Sequence, residues 1–145
     1  LFLFIFGDAV EDRLGHWKYL AFYFLASVVS NFSQVFMMPT ANVPMLGASG
    51  AIAGVLGAYF FFYPYARVLT LIPILFFITI REVPAFLFLG IWFILQTFNG
   101  AMALSTQLIT KHAVGGIAWW AHAGGFMTGI LMAPMLGSRR SSKFR

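Results

Sequence analysis

The sequence predicts an all-α polytopic membrane protein, and three observations support this fold class. Of the 145 residues, 61% are hydrophobic, only 9% are charged, and 18 are phenylalanine. A soluble domain of this size could not cover so much apolar surface, so lipid is the expected solvent. The basic residues also stand at the ends of long apolar stretches, as they do beside membrane-spanning helices.

Four apolar stretches are predicted to be membrane spans, and they follow the end of an earlier helix at Leu1–Phe6. The four are Trp17–Met38, Ala48–Tyr63, Val83–Met102 and Gly116–Leu136. A helix needs about 20 apolar residues to cross the hydrocarbon layer, and the second stretch is shorter than that. We therefore expect Ser49, near its start, to lie in a recess below the membrane surface.

The segments that connect the spans are predicted from their polarity and length. Asp8–Lys18 holds three of the four acidic residues. We interpret it as a solvated loop with a helix start, the alternative being a metal-binding or acid–base cluster. Val68–Ile80 is apolar but has only thirteen residues, which fits an interfacial or re-entrant segment better than a span. Ala103–Gly115 is predicted to be a longer loop.

The formal net charge of +5 indicates an orientation in the bilayer rather than nucleic-acid binding, because the basic residues are scattered at span ends. If Val68–Ile80 does not cross, eight basic residues share one side of the membrane and only Lys111 lies opposite. The eight are Arg13, Lys18, Arg67, Arg81, Arg139, Arg140, Lys143 and Arg145. Positive charge favours the cytoplasmic side, so the C-terminus is predicted to be cytoplasmic. The expected location is the plasma (inner) membrane of a prokaryote.

A serine lies at the start of the second span, among small residues. The segment is Gly-Ala-Ser-Gly over Gly47–Gly50, and Gly50, Gly54 and Gly57 then fall on one side of a helix at i, i+4 and i+7. That side carries almost no side-chain volume, so a neighbouring helix can approach its backbone closely. Two interpretations are open: a packing face with an incidental serine, or a packing face that presents a functional serine.

A histidine lies on a matching face of the last span. His122, Gly125 and Gly129 share one helix face at i, i+3 and i+7. If the two small-residue faces pack together, the imidazole and the Ser49 hydroxyl come within hydrogen-bonding reach, as an activated serine requires. A lone histidine in a helix is more often structural, but an ionisable group within a span is a candidate functional site. The glycines expected to pack around the site are Gly47, Gly50, Gly54, Gly57, Gly125 and Gly129.

Other kinds of site lack the residues that they require. No histidine has the His-Glu-x-x-His spacing of a metalloprotease, and Asp8 and Asp12 lie in a polar segment rather than within spans. The absence of cysteine excludes disulfides, thiol catalysis and cysteine metal sites, and neither a metal nor a cofactor is expected. A transporter would show internal repeats or several buried charges, and the sequence has neither.

Together the two motifs resemble those of the rhomboid intramembrane serine proteases. The resemblance rests on Gly47–Gly50 and on Ala121-His122 with Gly125 and Gly129. Further likeness at Gly7–Gly15 and Gly116–Trp120 extends it from Leu1 to about Gly137. It implies a rhomboid-like helical bundle over residues 1–137, here the C-terminal four spans plus the end of a preceding one. Residues 138–145 are then a basic cytoplasmic tail.

The family resemblance also implies an activity. It makes Ser49 the nucleophile and His122 its base, a dyad that cleaves the transmembrane helices of single-pass membrane proteins. The backbone N–H of Ser49, at a helix N-terminus, is the expected oxyanion donor. Rhomboids add donors from a His-x-x-x-Asn motif that is absent here, so we expect a fragment lacking the N-terminal spans. The alternative is a rhomboid-like protein that binds membrane clients without cleaving them.

Overall fold

A computed structural model describes residues 1–39, 47–74, 77–110 and 117–137 of the chain. In order, the elements are α1 (Phe2–Leu14), α2 (His16–Met37), α3 (Ser49–Phe62), β1 (Arg67–Ile74), β2 (Phe77–Pro84), α4 (Ala85–Thr110) and α5 (Trp119–Leu136). The predicted basic tail, the loop position Lys111 and most of the loop before Gly47 lie outside the described residues.

The helical membrane fold predicted from composition is confirmed. Helices α2 and α4, with 22 and 26 residues, are long and apolar enough to cross a membrane. Helix α3 has 14 residues, so it is only about 21 Å long, less than the thickness of a typical hydrocarbon layer. The helix ends at Phe62 because Pro64 disfavours a helical conformation at Tyr63, the residue before it.

Helix α3 forms the centre of the bundle and packs against α1, α2 and α5. Eight consecutive or near-consecutive residues of this helix are buried: Gly50, Ala51, Ala53, Gly54, Val55, Leu56, Gly57 and Ala58. In contrast, α2 and α4 turn large apolar side chains outward, such as Phe36 at 84% exposure and Ile94 at 65%. The outward residues suit a lipid surround, and the central helix is shielded from lipid on nearly all sides.

The closest packing is between α3 and α5, and glycine makes it possible. A β-carbon on Gly125 would overlap the carbonyl oxygen of Gly50, and one on Gly129 would overlap that of Gly54. Likewise, a β-carbon on Gly57 would overlap the carbonyl oxygen of Phe126. The contacts advance in the same direction along both helices, so α3 and α5 run parallel and begin at the same end of the bundle.

The prediction of a polar loop over Asp8–Lys18 is wrong, because almost all of that segment is helical. Helix α1 continues to Leu14, and α2 begins at His16. Only Gly15 separates them, with a φ of 83° that residues bearing a β-carbon rarely adopt. The acidic residues therefore occupy the last two turns of α1, where Glu11 pairs with His16 across the break.

Residues 67–74 and 77–84 form the two strands of a β-hairpin, where we expected an interfacial or re-entrant segment. β1 and β2 pair in antiparallel register, with Arg67 opposite Pro84 and Leu71 opposite Ile80. Among the residues that the structure describes, these two strands are the β-structure in an otherwise helical fold. Both strands are rich in β-branched residues, which favour the extended chain over the helix. The hairpin satisfies its backbone groups by pairing, which a lone re-entrant strand could not do.

The loop predicted at Ala103–Gly115 is also wrong over its first part, since α4 continues to Thr110. Hydroxyl groups in this extension bond back to the preceding turn: Ser105 to the Ala101 carbonyl at 2.9 Å and Thr106 to the Met102 carbonyl at 2.9 Å. The polar residues suggested a loop, but hydroxyl groups that donate to the preceding turn are compatible with a helix. Helix α4 therefore projects beyond the span predicted for it.

The glycine contact predicts that a single methyl group on α5 separates the helices. In Gly129→Ala the new β-carbon would lie 2.7 Å from the Ala58 nitrogen and overlap the Gly54 carbonyl oxygen. We expect the free energy of unfolding to fall by about 1–3 kcal/mol, as it does when a tight core is overpacked. Denaturation in detergent micelles, followed by circular dichroism, measures the change.

Gly90→Ala on α4 is the matched control. Its β-carbon would meet Phe60 Cε2 at 3.9 Å, an ordinary contact, so better helix propensity should leave stability unchanged or raise it by up to about 1 kcal/mol. If Gly90→Ala and Gly129→Ala lowered the free energy of unfolding equally, the close α3–α5 contact would not be the cause of the loss in Gly129→Ala.

Candidate active site

Ser49 and His122 meet where the two parallel helices begin. Ser49 is the first residue of α3, and His122 lies in the first turn of α5. The Ser49 Oγ and the His122 Nε2 are 2.9 Å apart, a hydrogen bond of ordinary length. Ser49 is exposed although the next residue, Gly50, is buried. A small molecule or a peptide can therefore reach the hydroxyl while the helix behind it stays packed.

The other nitrogen of the imidazole is also held. His122 Nδ1 lies 2.8 Å from the Gln96 Oε1 of α4, and Gln96 is only 8% exposed. The sequence motifs of Ser49 and His122 do not include this glutamine. The signal that could have identified it is the group of three polar side chains, Gln96, Thr97 and Asn99, inside the largely apolar stretch Val83–Met102.

Two tryptophans border the imidazole. The ring of Trp92, on α4, has its centroid 6.1 Å from that of His122 at an interplanar angle of 33°. The ring of Trp119, on α5, lies at 6.5 Å and 86°, an edge contact. The histidine is therefore enclosed by aromatic surface on two sides, hydrogen-bonded at both nitrogens, and left with little freedom to rotate.

A second glutamine fixes the start of α5. The Gln34 Oε1, from α2, accepts hydrogen bonds from the backbone N–H groups of Trp120 at 3.1 Å and Ala121 at 3.2 Å. The first N–H groups of a helix have no acceptor within it, and α5 has no cap from its own N-cap side chain. Gln34 supplies from another helix what a capping residue normally supplies locally.

The glycines around the site have different functions. Gly47 has a φ of 114° and nothing within 4 Å of a β-carbon, so backbone conformation alone requires glycine in the turn before α3. Gly50 instead has no room, because a β-carbon there would lie 2.7 Å from the Ser30 β-carbon of α2. Gly125 admits the Gly50 carbonyl from the opposite side. The start of α3 is therefore held between α2 and α5.

The backbone N–H of Ser49 lies at the N-terminus of α3. As the first residue of α3, Ser49 has no acceptor for its N–H within the helix, and helix N-termini attract negative charge. Of the other histidines, His16 lies at the far end of α2 beside Glu11, and His112 is outside the described residues. Among residues 1–39, 47–74, 77–110 and 117–137, no three His, Asp or Glu side chains converge as metal ligands.

The fold and the site together define a class of protein. It is a helical membrane domain in which a serine from one helix meets a histidine from another. The chain matches the family model described as Rhomboid domain over residues 1–139, and it therefore belongs to the rhomboid family. Serine proteases are general in that family.

One similar protein is "Rhomboid protein 1, mitochondrial" of Saccharomyces cerevisiae, which is 25% identical over 141 residues. The match covers 90% of this chain and 34% of the yeast protein, so the chain spans about a third of that relative's length. No solved structure matches the chain significantly.

The cap supplied by Gln34 leads to a prediction about α5. Gln34→Leu removes the acceptor of two helix-terminal N–H groups, so we expect a loss of about 1–2 kcal/mol in stability. Hydrogen exchange of the Trp120 and Ala121 amides should become faster, and mass spectrometry of the peptides over 117–122 would show it. Gln34→Glu keeps an acceptor beside a helix N-terminus and should restore the protection. Equal exchange in Gln34→Leu and the wild type would mean that Gln34 does not cap α5.

Proposed function

We propose that the protein is an intramembrane serine protease that uses Ser49 as the nucleophile and His122 as the general base. The observation that carries this proposal is the hydrogen bond of 2.9 Å between Ser49 Oγ and His122 Nε2, in a chain of the rhomboid family. A serine hydroxyl is a weak nucleophile until an adjacent base accepts its proton, and a neutral imidazole is that base.

The geometry supports a two-step hydrolysis. His122 Nε2 takes the hydroxyl proton while Ser49 Oγ bonds to the carbonyl carbon of the scissile peptide. The carbonyl oxygen becomes an oxyanion, for which the Ser49 backbone N–H is a donor at a helix N-terminus. The C–N bond then breaks as the imidazolium gives its proton to the leaving amine. Water attacks the acyl-serine with His122 again acting as base, which releases the acid and restores the hydroxyl.

The proposed substrates are single-pass transmembrane proteins. The nucleophile belongs to the short helix α3, behind exposed apolar surfaces of α2 and α4 that suit contact with lipid. A substrate that reaches this serine from the bilayer must present an unwound segment, because the hydrogen bonds of a helix shield its carbonyl groups from attack. A helix that unwinds easily near the membrane surface fits these demands.

The proposed orientation places the site at the outer face and the C-terminus in the cytoplasm of a prokaryotic cell. Basic residues at the opposite end of the bundle support it: the Arg13 guanidinium lies 5.2 Å from the centre of the Phe62 ring, and Lys18 donates to the Leu136 carbonyl. Both contacts are at the C-terminal ends of α3 and α5, away from Ser49. Positive residues prefer the cytoplasmic side.

The dyad is tested by substitution in the protein expressed from its complete coding sequence. Ser49→Ala and His122→Ala should each lower kcat for a membrane substrate by about 10⁴-fold or more, and the double variant should be scarcely slower. A fluorophosphonate should label Ser49 in the wild type, and His122→Ala should suppress the labelling. Stability should change little in Ser49→Ala, because that substitution removes a single exposed hydroxyl.

Ser105→Ala and His16→Ala serve as controls, since both remove a residue of the same type outside the site. Cleavage at the wild-type rate by folded Ser49→Ala would overturn the assignment. A wild-type protein that binds transmembrane segments, but neither cleaves them nor reacts with the fluorophosphonate, would instead be the non-cleaving kind of rhomboid relative.

The orientation is tested with introduced cysteines, and residues 1–145 contain no cysteine that would compete for the label. In intact bacterial cells, Lys111→Cys should react with an impermeant maleimide, whereas Ser141→Cys should react only after permeabilisation. Labelling of both positions in intact cells would refute the proposed arrangement of the spans.

A further inference from the structure

We propose that Gln96 is a positioning residue for the reaction. Its carboxamide oxygen accepts a hydrogen bond from His122 Nδ1–H and thereby directs Nε2 toward the Ser49 hydroxyl. This inference rests on the proposed protease function, and it assigns the orientation of the base to a neutral side chain on a third helix.

The first step of the argument is the number of protons on the imidazole. A neutral imidazole carries one ring proton, and Nε2 must be without it to accept the proton of Ser49. The ring proton is then on Nδ1, which needs an acceptor because the site is partly buried. The Gln96 Oε1 lies 2.8 Å from it. In the opposite tautomer, two acceptors would face each other at that distance, so this amide oxygen favours the tautomer that the reaction needs.

The second step is rigidity. Gln96 is 8% exposed and lies within α4, whose backbone is fixed on both sides by further helical turns. Trp92, one turn earlier, places its ring beside the imidazole at 6.1 Å. One helix thus contacts both the edge and the face of the histidine ring. A base held in this way does not lose a productive orientation between turnovers.

The third step is charge. Within the described residues, the side chains that hydrogen-bond to His122 are Ser49 from α3 and Gln96 from α4, and the rings of Trp92 and Trp119 lie beside it. The charged residues that the structure describes lie in α1, at the start of α2 and in the hairpin, toward the opposite end of the bundle. A carboxylate at this depth would be costly to bury, whereas an amide orients the ring without adding a charge.

Two variants of Gln96 and one control test the inference in the protein expressed from its complete coding sequence. Gln96→Leu removes the acceptor, and Gln96→Glu keeps an acceptor but adds a charge. Thr97→Val is the matched control, because the Thr97 hydroxyl, next to Gln96 in the sequence, donates to the Phe93 carbonyl of its own helix at 3.0 Å. The measurements are kcat and KM for a membrane substrate across pH, together with the rate at which a fluorophosphonate labels Ser49.

Gln96→Leu should lower kcat by roughly 10- to 100-fold, with KM nearly unchanged, because orientation of the base is lost and substrate binding is not. Gln96→Glu should recover most of kcat at high pH. Its acidic limb should move up by about one pH unit or more, since a carboxylate beside the imidazole favours the protonated ring. Thr97→Val should match the wild type in kcat and in the position of the acidic limb.

A serine-dependent wild-type activity combined with normal kcat and pH dependence in Gln96→Leu would overturn this inference and leave the proposed function intact. If Gln96→Leu does not accumulate in folded form, the pH profile of Gln96→Glu decides, and an unshifted acidic limb overturns the positioning role. Wild-type protein that shows neither cleavage nor labelling overturns the proposed function and this inference together.

Discussion

The close approach of α3 to α5 is the constraint on which the rest of the site depends. Gly125 and Gly129 admit the carbonyl oxygens of Gly50 and Gly54, so the two backbones nearly touch. Because the helices are parallel and start at the same end, this contact also fixes the distance between their first turns. Ser49 and His122 occupy those turns. The distance of 2.9 Å between Ser49 Oγ and His122 Nε2 therefore follows from the packing of the two helix backbones. Larger residues at the glycines would move the hydroxyl away from the imidazole.

Two glutamines add hydrogen bonds to the helix packing that the glycines permit. Gln34, from α2, holds the backbone at the start of α5, and Gln96, from α4, holds the histidine side chain on its first turn. Helices α2 and α4 therefore each place a glutamine against the start of α5. In lipid, neutral amides are suited to this task, because they donate and accept hydrogen bonds without the large cost of burying a charge. The apolar surface of the bundle and the polarity of its site are thus compatible.

Much of the architecture could be predicted because it depends on local pattern. The spacing of Gly50, Gly54 and Gly57 identified a packing face, and the composition identified a membrane protein. The predictions were wrong where polar residues suggested a loop. Helices α1 and α4 continue through Asp8–Leu14 and Ala103–Thr110, because their polar side chains lie on helix surfaces or form hydrogen bonds within the helix. The partners of Gln34 and Gln96 lie 86 and 26 residues away in sequence, so no local pattern could reveal them.

The location of charge connects this fold to the proposed chemistry. The acidic and basic residues that the structure describes lie away from the starts of α3 and α5, so none of them places a formal charge beside Ser49 and His122. In the proposed reaction, charge appears there only in the transition state, as an imidazolium on His122 and an oxyanion on the substrate. These two charges are opposite and adjacent, so each lowers the cost of the other in a medium of low dielectric constant. A permanent carboxylate would stabilise the imidazolium but oppose the oxyanion and stay costly throughout the cycle. A dyad oriented by an amide is therefore the arrangement that a membrane-embedded site favours.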